Sequence, residues 1–253
     1  MDRTKEERKL LLSKIEDVCT IAEKRSCTCQ SNFTDPASAI FVKRNLKLPY
    51  GVKGEFFGGY EDAERVMFFA YPDWMDEPEV DIDKVLICQK GKFGSELTHR
   101  DYLGAILGMG ITRDVIGDIL LKNGQALLFC KSDISDYIIY NLSSVGRTSV
   151  VCSRFEGDAE EFTQKKISKE SVNVASVRLD GIISAIYRLS RGNSVSLIEA
   201  GCVKVNYEEC LKTDAKLNFG DVISVRGYGK FKFLDVSGTS KKGRLYVDIE
   251  KYI

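Results

Sequence analysis

V-R-L-D at Val177–Asp180, L-S-R at Leu189–Arg191, L-I-E-A-G-C-V-K-V-N at Leu197–Asn206 and G-D-V-I-S-V-R at Gly220–Arg226 decide the reading of this chain. Asp180 is placed to cap a helix over about 181–187, with Ile182, Ile183 and Ile186 on its apolar side. Leu189-Ser190 interrupts that helix. Ser190 can cap a second one to about Ala200, anchored by Leu197 and Ile198, and Gly201 is the expected left-handed stop. Val203 and Val205 alternate with Lys204, the two-residue period of a half-buried strand. Gly220-Asp221 reads as a turn into a second strand through Val222, Ile223 and Val225.

This arrangement predicts a polar face carrying Arg178, Arg188, Arg191, Asn193, Ser196, Lys204 and Asn206, extended by Arg226, Lys230 and Lys232. Gly227 and Gly229 interleave the last three with Tyr228, Phe231 and Phe233. Cations at element boundaries can meet phosphates without being buried. From Ala175 to Ile253 there are 13 Lys+Arg against 9 Asp+Glu, a net of +4 in a chain whose total is zero, so the C-terminal third is the basic end.

Upstream, the pattern alternates. Thr4 and Glu7 form a capping-box pattern ahead of Leu11, Ile15, Val18 and Ala22, which predicts a first helix ending near Arg25. Thr34-Asp35-Pro36 predicts a second, to about Arg44. Gly58-Gly59 reads as a turn before a buried strand at Arg65–Tyr71. Lys84–Gln89 is expected as a strand, Thr98–Met109 as a helix capped by Thr98 and Asp101, and Ile116–Leu121 with Gln125–Cys130 as a hairpin around Asn123-Gly124. Ser132–Val145 is expected as a helix and Ser149–Phe155 as a strand. The order β-α-β-β-α-β is that of the ferredoxin-like plait. RNA-binding plaits stack bases on aromatics of the third strand. Here that strand is Gln125-Ala126-Leu127-Leu128-Phe129-Cys130, without the Arg-Gly-aromatic signature, so a scaffold or docking face is expected instead.

The fold class expected is therefore α+β. Residues 1–75 form an N-terminal helical region with a short strand, 76–160 the plait, 161–176 a polar linker and 177–253 the basic module. The mixed-charge N-terminus and the lack of any apolar run near the roughly 20 residues of a membrane span predict a cytosolic protein with no membrane partner. Its eight Cys are then expected as reduced thiols, most of them core residues.

R-L-D, L-S-R, L-I-x-x-G-x-V-x-V-N and G-D-x-I-x-V together resemble the S-four RNA-binding domain. With F-F-G-G-Y-E-D-A-E-R (56–65), L-T-H-R-D-Y-L-G (97–104), I-G-D-I (116–119) and S-V-R-G-Y-G-K-F (224–231), the chain resembles the bacterial YlmH-type family. The resemblance implies a non-enzymatic, monomeric RNA-binding protein. It would dock on the ribosome, at the large subunit and with rRNA and tRNA as partners, in translation quality control or rescue; a cell-division link is a further implication. Arg178, Arg191, Lys204 and Asn206 match the RNA-facing pattern. Ser196 and Cys202 stand where basic residues are frequent, and Tyr207 replaces a common Gly.

Enzyme readings are weaker. R-L-D also occurs in pseudouridine synthases, but Asp180 runs straight into Gly-Ile-Ile-Ser-Ala-Ile and a helix. His99, the sole imidazole, sits at a helix start beside Arg100. Glu61, Asp62 and Glu64 lack a second set of ligands, and Cys27-Thr28-Cys29 is not a zinc pattern. No catalytic residue, metal or cofactor is expected. The alternatives are an RNA-modifying enzyme centred on His99 and Glu61–Glu64, and a division-complex adaptor.

Overall fold

The computed structural model describes residues 3–90, 97–163, 167–241 and 243–252. The chain divides into two compact units, Met1–Gln164 and Lys165–Ile253. The class is mixed α and β, as expected.

The first unit opens with α1 (Arg3–Arg25). Thr4 lies inside that helix, not at its cap, because the helix already runs from Arg3. Next come β1 (Cys29–Gln30), α2 (Pro36–Asn45), β2 (Val52–Phe57) and β3 (Met67–Pro72). The side chain of Asp35 caps α2 by accepting the Ser38 N–H, and Pro36 follows where no N–H is needed. The strands pair as β1-β3-β2. Ile15, Cys19 and Ala22 of α1 pack with Val42 of α2 and with Val52, Phe68 and Ala70 of the sheet. Every residue of β3 is buried, which explains its unbroken apolar run.

The unit continues with β4 (Ile82–Gln89), α3 (His99–Gly108), β5 (Ile116–Lys122), β6 (Gln125–Lys131), α4 (Ser132–Asn141), β7 (Ser144–Val145) and β8 (Thr148–Arg154). All pairings are antiparallel and the order is β5-β6-β4-β8-β7. The helix expected over 132–145 stops at Asn141, and Ser144–Val145 turns back as β7 onto β8. Thr98 starts α3 as expected: the Asp101 carboxylate accepts both its N–H and its hydroxyl at 2.7 Å.

Strand β6 is buried on both sides. Ala126, Leu128 and Cys130 face the cluster that holds Tyr102 and Ile106 of α3 and Ile138 of α4. Leu127 and Phe129 face the other way and are covered by Tyr60, Phe155, Ala159 and Phe162. The Lys84 Nζ holds the Gly157 carbonyl at 2.6 Å, and the Lys122 Nζ holds that of Glu161, tying this cover down. The face that an RNA-binding plait would leave open for bases is closed.

The family-like stretches 56–65 and 116–119 meet at Asp118. Its carboxylate accepts the Tyr60 hydroxyl at 2.8 Å and the N–H groups of Glu64 and Arg65 at 2.7 and 3.1 Å. The Arg65 guanidinium caps three carbonyls, those of Phe33, Arg113 and Ile116. This clasp fastens the Gly58-Gly59 turn to β5. Gly59 has φ +97°, and a Cβ there would run into the Phe129 ring.

The second unit contains β9 (Ile167–Val174), α5 (Leu179–Tyr187), α6 (Arg191–Glu199), β10 (Val203–Val205), β11 (Glu208–Glu209), β12 (Val222–Val225), β13 (Gly229–Thr239) and β14 (Leu245–Tyr252). Their order is β11-β10-β12-β13-β14-β9. The linker expected over 161–176 is corrected here. Residues 164–166 lie outside the described ones, but β9 pairs with β14 from Ile167↔Tyr252 to Val174↔Leu245. Val172 and Val174 give it an apolar face, while its first half is polar enough to have read as linker.

Leu179, Ile182, Ile183 and Ile186 of α5 and Ile198 of α6 are buried against Val203, Ile223, Val225, Phe231, Phe233, Val247 and Ile249. Each such aliphatic burial contributes about 1.5–3 kcal/mol. Gly201 ends the pair with φ +67°.

Candidate nucleic-acid interface

The carboxylate of Asp180 organises the start of α5. Its side chain is 2% exposed. Oδ1 accepts from Arg178 Nε at 3.1 Å and from the Gly181 N–H at 2.9 Å; Oδ2 accepts from Arg191 Nε at 3.0 Å and from an Arg178 terminal nitrogen at 3.3 Å. Asp180 is therefore not the helix cap. Arg178 holds the cap position, and Asp180 stands in the first turn, where it binds two guanidiniums. Burial pushes its carboxyl up, but the bonds from Arg178, Arg191 and the Gly181 N–H outweigh this and hold it below the usual carboxylate range.

The two arginines remain accessible. Their side chains are 38% and 69% exposed against 2% for Asp180. One buried negative charge thus aims two positive ones, leaving an excess of one. The backbone amides at this helix start are already taken: Leu179 N–H goes to Ala215, Asp180 N–H to Thr213 and Ile182 N–H to Arg178. Any anion here would be held by guanidiniums.

Arg178 and Arg191 line a cleft of about 400 Å³ together with Asn173, Ser176, Ser184 and Arg244, among others. Asn193 is exposed in the first turn of α6, where its N–H donates to the capping Ser190 hydroxyl at 3.1 Å.

The other expected residues lie elsewhere. Arg188 closes α5 in the left-handed conformation, φ +53°, and is exposed at the opposite end of that helix. Tyr187 beside it packs at a tilt against Tyr228, ring centres 5.4 Å apart, and Lys251 lies over the Tyr187 ring at 5.2 Å. Burial first, and Glu170 second, push the Tyr187 hydroxyl up to about 12. Arg226 is exposed in the turn that leads to Tyr228.

Lys204, Lys230 and Lys232 project from the sheet face opposite the two helices. The register shows this: Lys204 pairs with Ser224 and Ser224 with Lys230, while the alternate residues Val203, Val225, Ile223 and Phe231 fill the core. The Lys230 Nζ lies 5.3 Å from the Tyr207 ring centre and 5.2 Å from that of Tyr252. The single polar face expected from the sequence is thus split between the helix side and the sheet side of the unit.

Asn206 makes turn-forming bonds of its own. Its φ is +50°, its amide donates to Asp221 Oδ1 at 2.7 Å, and its side-chain oxygen accepts the Val222 N–H at 3.0 Å. Those bonds lock the start of β12, so the V-N signature here also serves as a turn device. Arg244 is the residue that sequence reasoning missed. It stands between two strands that lack a two-residue hairpin signal, and the basic run K-K-G-R (241–244) was its one clue.

In the first unit, His99 is held below its ordinary value, by partial burial first and by the Arg113 charge second. Arg113 is itself lowered to about 10, by burial and then by Arg65. Among the described residues, no three His, Cys, Asp or Glu side chains are grouped to hold a metal.

Residues 77–159 match the family described as "Putative RNA-binding domain in YlmH". A curated relative is the "Ribosome-associated protein quality control protein P2" of Bacillus subtilis (strain 168), 28% identical over 198 residues, which are 78% of this chain and 77% of that one. A solved structure, the "Cell division protein ylmH from Streptococcus pneumoniae", aligns with a TM-score of 0.48 at 25% identity, over 59% of this chain and 91% of that one.

Proposed function

For this relative of the YlmH-type proteins, we propose a non-enzymatic RNA-binding protein that docks on ribosomal particles in translation quality control. In this reading the second unit is an S-four module and the five-stranded sheet of the first unit a ferredoxin-like plait. The RNA is rRNA of the large subunit, with tRNA as a further contact. The protein works in the cytoplasm as a monomer.

One observation carries the reading: a buried carboxylate aims two accessible guanidiniums into a cleft and neutralises only one of them. Planar guanidiniums fixed in this way match phosphate oxygens. The closed face of the plait supports a division of labour. With Leu127 and Phe129 covered, base stacking on that sheet is blocked, so RNA contact by residues 77–159 would use other faces.

Co-sedimentation with ribosomal particles tests this. Charge reversal at both arginines would set two carboxylates beside Asp180, so the informative variant is Arg178→Gln with Arg191→Gln, which keeps donors toward Asp180. The folded double variant is expected to leave the particle fraction. Retention equal to the parent protein would refute the assignment of this cleft.

A further inference from the structure

We infer that Arg244 is the third arm of a phosphate-binding cleft in the second unit, and that its ligand is a phosphate group of a polynucleotide. The inference deepens the RNA-binding reading and rests on it. Arg244 lies at the end of the turn between β13 and β14, far in sequence from the helix pair. Yet it lines the same cleft as Arg178 and Arg191. One of its terminal nitrogens donates to the Asn173 carbonyl at 2.9 Å, which anchors the guanidinium to β9 without neutralising it. The turn that presents it is itself tied: the Arg244 N–H donates to the Ser240 hydroxyl at 3.0 Å, and the Ser240 N–H to the Arg244 carbonyl at 2.7 Å.

Charge accounting gives the ligand class. The cleft is lined by three arginines and one carboxylate, Asp180, a net of +2. Its other walls are Ser176, Ser184, Asn173, glycine and small apolar residues, with no large aromatic surface. The cleft therefore suits a compact anion and offers no stacking partner for a base. Arg178 and Arg191 are set by a shared carboxylate and Arg244 by a carbonyl, so all three forks are held before a ligand arrives. Fixed arginine forks recognise phosphate through paired N–H donors.

The test is binding of a structured ribosomal RNA fragment by the full chain over a salt series, for the parent, Arg244→Ala and Arg244→Lys. Arg244→Ala is expected to weaken binding about tenfold and to lower the slope of log K against log salt by about 0.7–0.9. Arg244→Lys is expected to keep the slope and lose part of the affinity, because the charge remains without the planar fork. Thermal melts confirm that each variant is folded, and Arg244→Lys controls for the lost anchor on β9. If Arg244→Ala keeps the parent's affinity and slope, this inference falls and the wider RNA-binding reading stands. If the parent itself shows no salt-dependent RNA binding, both fall. Inorganic pyrophosphate is the second probe. Pyrophosphate that raises the melting point of the parent but not of Arg244→Ala, with the RNA slope unchanged, would reassign the cleft to a free anion and overturn the polynucleotide assignment.

Discussion

Arg191 reaches Asp180 across the break between α5 and α6, Nε to Oδ2 at 3.0 Å. The contact joins the first turns of two helices whose apolar residues share one core. Replacing Asp180 with Ala frees both arginines and costs about 1–3 kcal/mol, toward the lower end because both guanidiniums can rehydrate. Urea denaturation of the two proteins measures it. RNA affinity should fall as well, since the arginines lose their fixed aim.

The same carboxylate gives a pH dependence with a definite sign. Its folded-state value lies below the ordinary range, so its stabilisation is complete above about pH 4 and is lost as pH falls through the lower folded value. Between about pH 5 and pH 2 the parent should lose more stability than Asp180→Asn, which cannot titrate. Parallel acid-unfolding curves for the two would contradict this.

Asn206→Ala separates a turn device from an RNA contact. It removes the bonds to Asp221 and Val222 and leaves a non-glycine residue at φ +50°. A loss of about 2 kcal/mol is expected, with RNA affinity of the folded fraction unchanged. A drop in that affinity without a drop in stability would restore the contact role.

Asp118→Ala leaves the Tyr60 hydroxyl and two backbone N–H groups without their acceptor. Amide hydrogen exchange at Glu64 and Arg65 should accelerate by at least tenfold, about 1.4 kcal/mol of local stability. Tyr60→Phe should cost less, because one bond of the three is lost.

Gly59→Ala should destabilise the first unit by about 1–3 kcal/mol through overpacking against Phe129, with added backbone strain at φ +97°. Differential scanning calorimetry reads this directly. A melting temperature equal to the parent's would mean that the turn relaxes.

The helix pair is legible in the sequence because its signals are local: Ser190 caps α6, Gly201 ends it, and Ile182, Ile183 and Ile186 recur at helical spacing. The Asn123-Gly124 hairpin is legible for the same reason. What escapes is long-range. β9 hides because half of its residues are polar, and only pairing with β14, over seventy positions away, makes it a strand. Arg178 and Asn206 fit an RNA-facing pattern, but their partners Asp180 and Asp221 are recognisable only once the chain has folded. Arg244 joins the cleft through a turn that carries no strong sequence signal.

Strand β9 also says where the portable piece of this protein begins. From this edge strand of the second unit's sheet the chain runs into α5 through residues 175–178. A fragment cut at the start of the helix pair would strip that strand away and bare the whole length of β14, including Leu245 and Val247 beneath Val174 and Val172. An eight-residue edge with apolar neighbours is an invitation to pair with another copy. The unit to graft, express or fuse therefore has to include β9 from Ile167, and a shorter graft exposes a strand edge open to pairing.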